Sequence, residues 1–176
     1  RAAVGGIDEA GSVQDPARIG IQCKLAPGAL NDYSPVLKLL ENAIKEDPNN
    51  QLFRGVQAHL LYRSGDAEEA ARQLEQVVSS EKPTSLSQPW NRFFLAMAHH
   101  DLGHENEARQ YIRDATEWIE RYGNLKRQEG SVASQLLAWR LQLDLMLLRA
   151  EAEELVGTVQ ASTDVSSDDS PASDGN

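Results

Sequence analysis

The sequence predicts an all-α fold: a short superhelical stack of helix–turn–helix pairs, closed by one long C-terminal helix. Three observations predict it. A short pattern occurs twice, around Gly65 and Gly103, 38 residues apart. Each copy has a small residue seven before the glycine (Ala58, Ala96), a bulky one four before it (Leu61, His99) and alanine five after it (Ala70, Ala108). A period in the thirties marks a helical array, and such arrays usually bind partners. No segment alternates apolar and polar residues for long enough to make a half-buried strand. Finally, helix-start and helix-stop residues punctuate the chain throughout.

In order, these signals predict helices over 16–26, 34–46, 51–64, 67–79, 89–102, 105–121 and 132–156. Asp15-Pro16 and Ser34-Pro35 each set a capping side chain before a proline at the first helical position. Asp47-Pro48-Asn49-Asn50 stops the second helix. Gly65 closes the third, where the chain turns back through φ > 0. Asp66 followed by Glu69 has capping-box spacing and opens the fourth. Gln88-Pro89 opens the fifth, after a segment from Ser80 that is long enough to bulge as a loop. Gly103 closes the fifth. Ser131 can cap the last helix and Gly157 can end it.

That last helix differs from the others. Leu137, Leu141, Leu145, Leu148, Ala152 and Leu155 form one apolar seam. Leu136, Trp139, Leu143, Met146 or Leu147, and Ala150 form a second beside it. The combined face is wider than a surface helix needs. The expected role is to cover the open end of the stack. The alternative leaves the second seam over as a dimer or domain contact.

The repeat resembles the tetratricopeptide repeat. Counting from Gln51, the small, bulky, glycine and alanine positions hold Ala58, Leu61, Gly65 and Ala70; from Pro89 they hold Ala96, His99, Gly103 and Ala108. A weaker copy starts at Ala17, with Asn31 at the glycine position, Val36, Ala43 and Pro48. Asn31 is expected to take the left-handed conformation there. The resemblance implies repeats at about 17–50, 51–84 and 89–122 with a capping helix at 132–156, between an N-terminal linker (1–15) and a tail (157–176). Stretches such as Lys24 to Ala29, Trp90 to His100, Leu102-Gly103-His104 and Leu148 to Glu153 resemble the C-terminal region of large bacterial proteins. In those, such repeats follow a Ser/Thr protein kinase domain or a WD-repeat propeller.

The resemblance also implies a concave groove lined by the first helix of each repeat. Its groove positions here include His59, Tyr62, Arg63, Trp90, Phe93, Met97, His100 and Asp101, with Leu52 and Gly55. The basic clamp that holds acidic tails in some relatives is missing. The groove is aromatic and Met-rich with one Arg, which suits a hydrophobic peptide or helix. Alternatively, neighbouring helices fill it. The expected function is a non-catalytic protein–protein interaction scaffold, and the kinase-linked resemblance implies the non-catalytic end of a signalling protein. The alternative is an oligomerisation module built on the last helix.

Composition narrows the partners. The formal net charge is −10, which disfavours nucleic acid and anionic membrane surfaces. Cys23 is the one cysteine, so no intrachain disulfide forms, and a buried packing role is expected. The tail after Val156 is rich in Ser and Asp and lacks aromatic residues; it is expected to be disordered. No secretory signal is visible and a cytoplasmic setting is expected. His99, His100 and His104 cluster, but Gly103 breaks the helix between them and His99 takes a packing position, so no metal is expected. No phosphate loop or nucleophile elbow is present, and carboxylate pairs such as Glu68-Glu69 sit on helix surfaces. No enzyme activity and no cofactor are expected.

Overall fold

A computed structural model describes residues 16–82, 84–122 and 132–157. Its elements are α1 (Pro16–Cys23), α2 (Ser34–Glu46), α3 (Gln51–Arg63), α4 (Ala67–Ser80), α5 (Gln88–Asp101), α6 (Glu105–Tyr122) and α7 (Val132–Gly157). There is no strand among the described residues. The proposed linker, the Asp15 and Ser131 caps and the tail beyond Gly157 lie outside the described residues.

Local chemistry explains most boundaries. Gly65 and Gly103 close α3 and α5 at φ +94° and +78°, a region L side chains avoid. Asn50 caps α3, its carboxamide oxygen accepting from the backbone of Leu52 and Phe53 at 3.2 and 3.3 Å. Asp66 caps α4 by accepting from the Glu69 backbone at 3.1 Å. The reciprocal half of the capping box does not form: the Glu69 carboxylate turns to Arg72 and Gln73 instead.

Three expectations are corrected. Ser34 is not a cap; it is the first residue of α2, and its N–H is taken by Asp32 at 2.9 Å. Asn31 does not take the left-handed conformation, since no described non-glycine residue has positive φ; Gly28 takes it instead, at +67°. The helix α1 ends at Cys23 rather than near 26. Pro27 has no N–H for the Cys23 carbonyl and restricts Ala26 before it, so the helix cannot run on.

The helices stack in sequence, α1 with α2, α3 with α4, α5 with α6, and each pair packs on the next. The alanines at the repeat positions, Ala70 and Ala108, have no exposed surface. Larger side chains there would push the crossing helices apart. A Cβ on Gly20 would overlap a Val56 methyl, which brings α1 close to α3. One core cluster joins Leu74, Phe93, Phe94, Met97, Ala115, Leu148 and Ala152 across α4 to α7. A smaller one joins Tyr33, Val36, Leu40, Val56 and Leu60 under α1.

Candidate functional site

The helix α7 packs on α5 and α6 and reaches α3 with side chains. Its first seam does this: Leu148 and Ala152 are core residues, and Leu141, Leu145 and Leu155 pack against them. Leu137 is outside the described side chains. Among its described side chains the second seam faces away, Leu136 lying outside them. Trp139, Leu143, Met146 and Leu147 are 65, 40, 62 and 56 % exposed, a stripe of large apolar side chains on one helix face.

The eight groove residues therefore meet very different surroundings. Phe93 and Met97 have no exposed surface, being sealed in the core that α7 completes. Replacing Phe93 would test the fold and not a contact surface. His59 is buried and stacks on Phe94 with ring centres 4.2 Å apart. Tyr62 meets the same Phe94 edge-on at 5.8 Å. Burial first, then the Asp101 charge, push the Tyr62 phenol well above its ordinary pKa. Trp90 is buried at the start of α5. His100 approaches Glu105 at 3.1 Å, and Asp101 is exposed.

Arg63 is the polar hub of this region. Its guanidinium forks onto the Glu151 carboxylate of α7, with Nη2 to Oε2 at 2.7 Å and Nη1 to Oε1 closing the second bond. Its Nε donates to the Lys24 carbonyl at 2.7 Å. The Arg63 side chain is 3 % exposed and Glu151 21 %. A bidentate, largely desolvated pair of this kind fixes orientation as well as adding energy. It ties α3, the end of α1 and α7 together.

Sequence reasoning missed one residue here. Lys24 is buried, with 6 % exposure. Its Nζ lies 3.4 Å from His59 Nδ1 and 5.4 Å from the Trp90 ring centre. Burial pulls its pKa from 10.5 down to about 7, with Asp144 opposing and Arg63 adding to the fall. Burial, then the Lys24 charge, hold His59 well below 6.5. Nothing local marks it: Lys24 follows the last residue of α1, and its burial comes from His59 of α3 and Trp90 of α5 closing over it.

The remaining polar clusters are structural. Cys23 is half-buried against the smaller core, and burial raises its pKa, so its thiol is a poor nucleophile. His99 is buried, stacks on Tyr111 and approaches Glu75 at 3.2 Å and His104 at 3.1 Å. Among the described residues no three potential ligands converge on a metal position. No described helix is long and apolar enough to cross a membrane.

Two family models, each described as a tetratricopeptide repeat, match residues 29–88 and 92–122. Comparisons with curated proteins and with solved structures give no match. Repeats of this kind generally mediate contacts between proteins and are typically non-catalytic. With the matches spanning more than half of the sequence, and paired helices that turn on Gly65 and Gly103, the chain belongs to the tetratricopeptide-repeat family.

Proposed function

We propose that this chain is a non-catalytic interaction scaffold that engages a partner helix through the outer stripe of α7. The observation that carries the reading is the exposure of Trp139, Leu143, Met146 and Leu147 on one face of that helix. Their spacing is that of a helix-on-helix seam. Exposed Arg140 and the Arg149–Glu153 pair, 2.7 Å apart, flank the stripe and set the charges that an approaching helix would meet. In the C-terminal region of a kinase-type or propeller protein in the cytoplasm, such a stripe would meet a neighbouring domain or chain. The test is sedimentation of the chain, combined with titration of a peptide spanning residues 132–157. The wild type should self-associate or bind the peptide. Leu143→Asp with Met146→Asp should abolish both with an unchanged circular dichroism spectrum. A wild type that stays monomeric and ignores the peptide, or a double variant that behaves like it, overturns the reading.

A second reading keeps the partner in the concave groove. There α7 acts as a built-in occupant, and a partner helix displaces it to reach His59, Tyr62, Arg63, Trp90, Phe93, Met97, His100 and Asp101. The Arg63–Glu151 pair favours this, because it joins α7 to the groove through a charge contact that a competing acidic helix could replace. Glu151→Arg should then raise affinity for such a helix. No change in affinity, with α7 still docked, counts against it.

A further inference from the structure

A cavity of about 210 Å3 opens between the end of α1, α3, the start of α5 and α7. Ile21, Val56, Leu86, Trp90 and Leu141 make its walls largely apolar, and Lys24, His59 and Asn91 supply its buried polar groups. An apolar cavity of about 150 Å3 is enough for a benzene ring. This one has room for a ring and a small polar group beside it.

We propose that this cavity binds a small aromatic or branched-chain carboxylate, with the apolar body against Trp90, Val56 and Leu141 and the carboxylate on Lys24. The site is independent of the α7 stripe.

Three observations support it. Lys24 directly follows the last residue of α1 and is buried on the cavity wall. The one hydrogen-bond contact of its Nζ among the described residues is His59 Nδ1, and no described carboxylate is in ion-pair contact with it. An ammonium has three donors, so a buried Lys24 offers unfilled capacity directed at an anion. Asp144 also lines the cavity but acts on Lys24 only at longer range. Gly55 is the third observation. It sits inside α3 on the cavity wall, where glycine is a poor helix former. A Cβ there would meet Asn91 Oδ1 at 3.1 Å and narrow the space. His59 Nε2 and Asn91 Oδ1 face each other beside Lys24, in a contact short of good hydrogen-bond geometry. Burial leaves Lys24 with a pKa of about 7, and an arriving carboxylate restores its charged form.

The test is a calorimetric titration of the full chain with phenylacetate and with its neutral counterpart 2-phenylethanol. Phenylacetate should bind at least about tenfold more tightly, the value of a hydrogen bond to a charged group. Lys24→Met should remove that preference, and circular dichroism should show the fold intact. Asp144→Asn should strengthen phenylacetate binding by removing the one competing carboxylate at the cavity. Equal affinity for the two probes, no heat from phenylacetate in the millimolar range, or a preference that survives Lys24→Met each overturns the proposal.

Discussion

Lys24→Met should stabilise the protein at neutral pH and flatten its dependence on pH. In the folded chain the Lys24 ammonium gives up its proton near 7, while the unfolded chain keeps it to about 10.5. Between those values the unfolded state binds more protons, so stability rises with pH. It is lowest below 7, where folding must bury the charge. Linkage converts this difference to a gain of roughly 2 kcal/mol between pH 7 and pH 9. At pH 7 the charge costs the fold up to roughly 4 kcal/mol, with the attraction of Asp144 already included, less whatever protein relaxation recovers. Methionine keeps the stem and removes the amine. Urea unfolding at fixed ionic strength, at pH 7, 8 and 9, measures both quantities. Burial raises Cys23 from its ordinary 9.0, so the unfolded thiol ionises first as pH nears 9 and opposes this trend equally in both proteins; Tyr62 adds the same effect above 9, where the window stops. His59, held well below 6.5, acts only on the acid side, where stability should fall further as the unfolded imidazole charges. Equal pH slopes in the two proteins, or a variant less stable than the parent at pH 7, would refute the reasoning.

Ala70→Arg or Ala108→Arg should cost about 3 kcal/mol or more, because each alanine is fully enclosed where helices cross. A melting temperature within a degree or two of the parent would mean the repeat register is wrong. A double-mutant cycle with Arg63→Met and Glu151→Gln should give a coupling of about 1–3 kcal/mol, since the pair is bidentate and mostly desolvated. A coupling indistinguishable from zero would show that this contact does not hold α7.

The fold was legible because its determinants are local. Gly65 and Gly103 mark turns that need positive φ, and Asp66 and the prolines mark starts. Errors came where two local signals competed. Asn31 and Gly28 both suited the first turn, and glycine took the left-handed position at no steric cost. The groove was less legible. Repeat positions identify which face of α3 and α5 is concave, but not what lies on it. The seams of α7 showed which of its sides are apolar, but that Leu148 and Ala152 join the core of Phe93 and Met97 depends on how α7 packs on α5 and α6. Spacing carries no record of that. Spacing places Arg63 among the groove residues but does not show its partner Glu151, which lies 88 residues away. Lys24 was not legible as a site residue, because its burial only follows from how His59 of α3 and Trp90 of α5 close on the end of α1.

The account rests on α7 lying with one seam in the stack and the other facing out. Thiol labelling in a Cys23→Ser background tests this directly, in dilute solution, with single cysteines at Met146, Leu147, Leu148 and Ala152. Cysteines replacing Met146 and Leu147 should react at the rate of an unfolded peptide. Those replacing Leu148 and Ala152 should react at least about a hundredfold more slowly, because labelling then waits on local opening. Similar rates at all four positions would show that α7 is not docked and would contradict the account.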